Sequence, residues 1–447
     1  MPWLDKLNSM IERRGFRIGF AVLVFFTMLA GDAWRYSISW YGWGVIILIL
    51  AIGTVQLLLQ NRRRLRPFPV TLLAFLVLAT LSIAWSFYPG LTAAGALSQW
   101  LTTAGATALA ITLSWAELLR ALGIALRIIL GLSLLFELTV SLVIRHAVLP
   151  FWVDYGDTTH LPKLVYWSRD VLFVDGKIQG IVGNSSLLAM IALLGLIVFG
   201  VQLASRSVGR VSGTLWMLLA ALIAAITRSA TIFVGIAVCA AVVVAVLAVR
   251  RARTRRALVA TYWTLAALVL AGAAIISVFR EQLLALLGKS DTLTGRLGIW
   301  DAVIGLAQQR PIFGWGWISY WAPWAAPFKN LVKKAGVQQL HAHNAWLDVW
   351  LQLGILGVVV FATLVVVTVS RASRMAVRMP SAHSDALTAR TPRAASALTL
   401  LPILLLTALI VQSLAESRLI VEYGWLLLTL LAVKTARPDP ALPKVMP

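Results

Sequence analysis

The stretch SATIFVGIAVCAAVVVAVLAV, residues 229–249, carries no charged side chain and is long enough to cross a hydrocarbon core as a helix, which takes about 20 apolar residues. Runs of the same kind fall near 17–33, 40–60, 68–87, 93–114, 121–144, 181–204, 211–227, 257–279, 344–370, 397–415 and 420–435, each ended by charge, Pro or Gly. A water-soluble core has no room for twelve such segments. The pattern predicts an all-α polytopic membrane protein with about 12 transmembrane helices, a single integral membrane domain over residues 1–447. The composition agrees, with 60% hydrophobic and only 13% charged residues.

The net charge of +22 would suggest a nucleic-acid surface in a soluble chain, but here the basic residues lie mostly beside the apolar runs. With a cytoplasmic N-terminus, the inner segments hold Arg62, Arg63, Arg64 and Arg66, then Arg206 and Arg210, Arg250 to Arg256, and the tail, while the short outer connections hold Arg35, Arg228 and Arg418. That is the asymmetry of the positive-inside rule. Both termini are expected in the cytoplasm, no nucleic-acid partner is expected, and the first apolar run reads as a retained helix rather than a cleaved leader. Two outer loops are long, 145–180 and 280–343, and the basic segment 371–396 reads as a cytoplasmic linker touching anionic headgroups.

Polar chemistry gathers outside. His146, His160, His341 and His343 all fall there, leaving His383 within. In HAHNAWLDVWLQLGILG, residues 341–357, Asn344 suits an N-cap, and Asn344, Asp348 and Gln352 make a polar stripe at helical spacing that should face the bundle interior. His343 stands above it, either a proton-transferring group or an ordinary interfacial histidine. Arg228, in Thr227-Arg228-Ser229, either snorkels to headgroups or binds a ligand. The stretch TGRLGIWDAVIGLAQQRPIFGWG, residues 294–316, predicts an amphipathic helix carrying Arg296 and Trp300 and stopped at Arg310-Pro311. Trp315, Trp317, Trp321 and Trp324 beyond it suit interfacial anchors or sugar platforms, and Lys329, Lys333 and Lys334 add positive charge. GIVGNSS, residues 180–186, is a helix start that Asn184 either caps or leaves open to an anion, after a loop carrying Arg169 and Lys177. Glu137 is an isolated acid within an apolar run.

Some chemistries lack their parts. There is no GxxxxGK[ST], HExxH or GxSxG, and the lone Cys239 excludes a disulfide framework or a redox pair. His341 and His343 have no carboxylate spaced to complete a metal set with His146 or His160, so neither metal nor cofactor is expected.

TRSATIF (227–233), GRLGIWDAVIGLAQQRPIFGWG (295–316) and HNAWLDVWLQLGILG (343–357), in that order, with GIVGNSS as a looser match, resemble the bacterial O-antigen ligases and, more broadly, the O-antigen ligase/polymerase superfamily. The resemblance implies a membrane glycosyltransferase of GT-C-type architecture in the bacterial inner membrane, with its active site at the periplasmic face. It would take O-antigen polysaccharide from undecaprenyl pyrophosphate and transfer it to a sugar hydroxyl of lipid A-core, without a metal and with inversion. Carried onto this sequence, the family's histidine falls on His343 and its arginines on Arg228 and Arg296; Asn344, Asp348, Arg169, Asn184 and His341, the last outside the matching stretch, are supporting candidates read from the residues themselves. An O-antigen polymerase, a protein O-oligosaccharyltransferase and a lipid-linked glycan transporter are the alternatives. A transporter would line a transmembrane path with its basic residues, whereas here they sit at the outer mouth.

Overall fold

The computed structural model describes residues 14–437 except 154, 156–160, 175, 253, 279–295, 335–336 and 378–396. Each of the twelve apolar runs contains a helix. In chain order these are α1 (Arg14–Leu29), α2 (Gly31–Gln60), α3 (Val70–Leu81), α4 (Pro89–Thr112), α5 (Trp115–Thr139), α6 (Ser185–Ala204), α7 (Arg210–Ile226), α8 (Ala230–Arg251) and α9 (Arg255–Val278). The outer-loop helix α10 (Arg296–Ala307), α11 (Ala345–Val377), α12 (Leu401–Ser413) and α13 (Glu422–Thr435) follow. A two-stranded hairpin, β1 (Lys333–Lys334) with β2 (Val337–Gln338), and an isolated antiparallel bridge between Val148 and Ser168 depart from all-α structure.

Among the described residues, five helices are by themselves long and apolar enough to cross a membrane: α2, α5 with its continuation to Ile144, α6, α8 and α11. The chain is thus a polytopic membrane protein. α6 is its centre, apolar on every side and walled by α5, α7, α8 and α12. α2 and α8 lie at the periphery, where Leu48 is 60% and Val244 is 65% exposed; in a bilayer these apolar faces meet lipid rather than water.

Contacts at the two ends of the bundle segregate as an alternating chain requires. At one end Arg14 pairs with Glu117, Arg250 donates to Ala376 O, and Lys434 donates to Ala110 O and Leu113 O. At the other, Arg35 pairs with Glu422, Tyr88 donates to Gly316 O, and Arg296 pairs with Glu416. Every group in the second set except Glu422, which opens α13, belongs to a connection expected on the outer side, and that end takes the name outer on this expectation.

Two long helices are broken near that second end. α2 has non-helical, positive-φ backbone at Ser39 (φ 72°, ψ 172°), and the outer loop covers the break, with Phe151 N–H donating to Tyr36 O and Trp152 Nε1 to Ser37 O. α11 is interrupted at Gly354 (φ 67°, ψ −169°), where a Cβ would stand 2.1 Å from Ile312 O. The segment 311–316 fills the gap: Trp315 N–H donates to Leu351 O, Gly316 N–H to Gln352 O, and Ile355 N–H to Pro311 O. The expected continuous span at 344–370 is therefore two helical pieces stitched together by the outer loop. α11 also runs on to Val377, so the expected linker 371–396 begins inside a helix; residues 378–396, including His383, lie outside the described residues, as do 280–295 of the large outer loop.

Candidate active site

The polar stripe of α11 is buried as its spacing predicts, with Asp348 and Gln352 both 0% exposed. Each fastens an outer segment. Gln352 Oε1 accepts from the N–H groups of Ile318 and Ser319, both at 2.9 Å. Asp348 Oδ2 accepts from Ala342 N–H at 2.9 Å and from the Ser417 hydroxyl. Asn344 is the N-cap, its Oδ1 accepting from Trp346 and Leu347 N–H. Ala342, between the two histidines, is held on both sides, because Trp300 Nε1 of α10 donates to its carbonyl at 3.0 Å. His343 takes a left-handed backbone conformation (φ 51°), uncommon for a non-glycine residue, and the two rings stand 4.1 Å apart.

The residue that sequence reasoning missed is Glu416. It lies in the connection between α12 and α13, beside the Ser417 that Asp348 anchors. His343 Nδ1 lies 3.0 Å from Glu416 Oε2, and Arg296 Nη2 donates to Glu416 Oε1 at 2.8 Å. The other imidazole nitrogen, Nε2, lies 3.1 Å from Gln339 Oε1, at the end of the hairpin. Glu416 thus joins His343 and Arg296, two of the three principal candidates. Burial alone would raise its carboxyl, but the His343 hydrogen bond and the charges of His343, His341 and Arg296 outweigh that and lower it to about 2. His341 is pushed the other way, to about 3, by burial first and then by its histidine neighbour.

A second charged group adjoins this one through Tyr320, whose ring is 6.0 Å from that of His341. The Tyr320 hydroxyl accepts from Arg418, which pairs with Glu422; Glu422 pairs in turn with Arg35, and Arg35 with Asp32 at 2.7 Å. Arg35 also lies over the rings of Trp40 and Trp43. Three arginines and three carboxylates thereby alternate across the outer end of the bundle. Neutralised in this way, the cluster holds six ionic groups near the membrane boundary, where unpaired charges are costly.

The other candidates lie elsewhere. Arg228 is exposed with φ 48°, its guanidinium 3.6 Å from where a Cβ on Gly176 would sit. It belongs beside the outer turn at 169–177 rather than on Glu416. Arg169 is engaged within that turn, donating to Gln179 Oε1 and Lys177 O. Asn184 caps α6 by accepting from Ser186 and Leu187 N–H, which occupies the donors an anion would need. Glu137 has partners after all, accepting from the N–H groups of Gln179 and Gly180 and from Ser168, so it anchors the outer loop. Trp317 and Trp321 are buried, against the expectation of an aromatic belt, whereas Trp324 is exposed. His146 Nδ1 lies 3.0 Å from Ala147 O, and His160 lies outside the described residues.

Residues 213–362 match the family model described as O-antigen ligase, a stretch that holds Arg228, Arg296, His341, His343, Asn344 and Asp348. The exopolysaccharide production protein ExoQ of Rhizobium meliloti (strain 1021) is 28% identical over 111 residues, 23% of this chain and 25% of that relative. The similarity thus spans a quarter of the relative's length, 25%. The matched stretch carries the motifs TRSATIF, GRLGIWDAVIGLAQQRPIFGWG and HNAWLDVWLQLGILG, and the two similarities together support a place for this chain in the O-antigen ligase/polymerase superfamily.

Proposed function

We propose that the protein is an O-antigen ligase of the bacterial inner membrane, spanning it about twelve times in a GT-C-type arrangement with both termini cytoplasmic. It transfers O-antigen polysaccharide from undecaprenyl pyrophosphate to a sugar hydroxyl of lipid A-core at the periplasmic face. The observation that carries this reading is the imidazole of His343 held between Glu416 and Gln339, with Arg296 on the far carboxylate oxygen. In this reaction the acceptor hydroxyl displaces Gln339 from Nε2, gives its proton to that nitrogen, and attacks the anomeric carbon. The bond from that carbon to the pyrophosphate oxygen breaks on the opposite face, so configuration inverts. Glu416 orients the ring and balances its charge once protonated. Arg296 offers Glu416 one edge, and the remaining N–H groups of its fork suit phosphate oxygens, with Arg228, apart from this group beside Gly176, as the second candidate to hold the pyrophosphate. Pyrophosphate departs as an anion, so the step as written needs neither a dedicated acid nor a metal. His341 takes no part in it.

The test is transfer by purified protein from undecaprenyl-pyrophosphate-linked glycan to lipid A-core with chelator present. Wild type forms the lipid A-core glycan, while His343→Ala binds donor but loses about 10²–10⁴ in rate. Normal transfer by the variant would remove His343 from the chemistry. The exopolysaccharide-production relative keeps a polymerase reading in view, and a product lengthened on the donor lipid would select it.

A further inference from the structure

We propose that His341, His343 and Glu416 form a binding site for a zinc-like divalent cation, and that its occupation switches off transfer. Their ligand atoms all lie within 4.8 Å of one another, and two imidazoles with one carboxylate are a donor set that suits zinc. The ligands come from two segments locked to each other. Asp348 ties Ala342, between the histidines, to Ser417, next to Glu416, and Trp300 fixes Ala342 from the other side. Small side-chain rotations then close the set without moving backbone. The surroundings supply the usual support as well, since a metal-bound histidine normally offers its other N–H to an oxygen. With the metal on His343 Nδ1, the proton sits on Nε2, facing Gln339 Oε1 at 3.1 Å. His341 Nδ1 accepts from His343 N–H at 3.2 Å, and ligation through either nitrogen of that ring replaces this bond. Arg296 is the competitor, because it holds Glu416 Oε1 and repels a cation. The inhibitory half rests on the reading of His343 as the group that activates the acceptor; a metal on the ring holds a proton on Nε2 and removes that capacity. The binding half does not depend on it.

Purified full-length protein in detergent is titrated with Zn²⁺ by calorimetry, and with Co²⁺ as a visible-absorption probe of a nitrogen- and oxygen-ligated site. Wild type binds one ion. His341→Gln and Glu416→Gln each weaken binding by about tenfold or more. Arg296→Gln strengthens it, a gain that damage to the fold would not produce. Melting curves identify any variant that has lost its structure. Absence of binding by wild type, or unchanged binding by a folded His341→Gln, overturns the site. Binding that leaves lipid A-core transfer intact overturns the inhibition. A protein inactive in transfer before any metal is added refutes the ligase reading, while the titration still decides the site.

Discussion

At the scale of the residue, Glu416 ties the candidate site to conditions outside the protein. Its carboxyl, ordinarily near 4.5, is held at about 2, so the stability it contributes is complete above 4.5 and is lost as pH falls through that interval. His341, ordinarily near 6.5, is held neutral down to about 3, so unfolding takes up a proton below 6.5. Both effects carry the same sign. The melting temperature is expected to hold level above 6.5 and to fall on acidification, with His341→Gln flattening the stretch between 6.5 and 4.5 and leaving the steeper loss below it. A melt of His341→Gln that tracks wild type throughout would mean that His341 is not held neutral by the fold. For catalysis, Glu416→Gln keeps an acceptor for His343 but loses its charge, and kcat is expected to drop about tenfold or more with donor KM nearly unchanged. His343, Arg296 and the Asp348 stripe were legible in the sequence because periodicity and motif order marked them. Glu416 was not, since an acid in a short connection some seventy residues away has no spacing that links it to HNAWL.

At the scale of the element, the decisive feature is the break in α11. Gly354→Ala places a methyl group on Ile312 O and a side chain at φ 67°, so it is expected to cost on the order of 3 kcal/mol and to release the 311–316 segment. Faster proteolysis near 311–316, together with lost transfer, would be the readout; an unchanged digestion pattern would contradict the stitching. Asp348→Ala is expected to lower stability by about 2–4 kcal/mol, as it orphans the buried Ala342 N–H and the Ser417 hydroxyl. The break in α11 was not visible in hydropathy. LQLGILG reads as continuous helix with a tolerated glycine, because apolarity reports burial and says nothing of a backbone that hands its hydrogen bonds to another segment.

At the scale of the whole molecule, charge asymmetry and end contacts together make orientation measurable. In a Cys239→Ser background, Trp324→Cys is expected to react with an impermeant maleimide added from outside, and Arg63→Cys only after the membrane is opened. The reverse pattern would invert the topology and place the site in the cytoplasm. The fold class was readable because apolar runs of this length have one use. The meeting of Arg35, Tyr320, Arg418 and Glu422 was not, because it depends on which helices become neighbours. The stitched helix bears on biogenesis too. Until the outer loop docks, the carbonyls of Leu351 and Gln352 and the N–H of Ile355 lack their partners, at several kcal/mol each in hydrocarbon. Before docking, the span therefore has no reason to break. Because 311–316 precedes α11 in the chain, the segment that interrupts the helix is made before it, and His343 is expected to reach its place only once the two have joined.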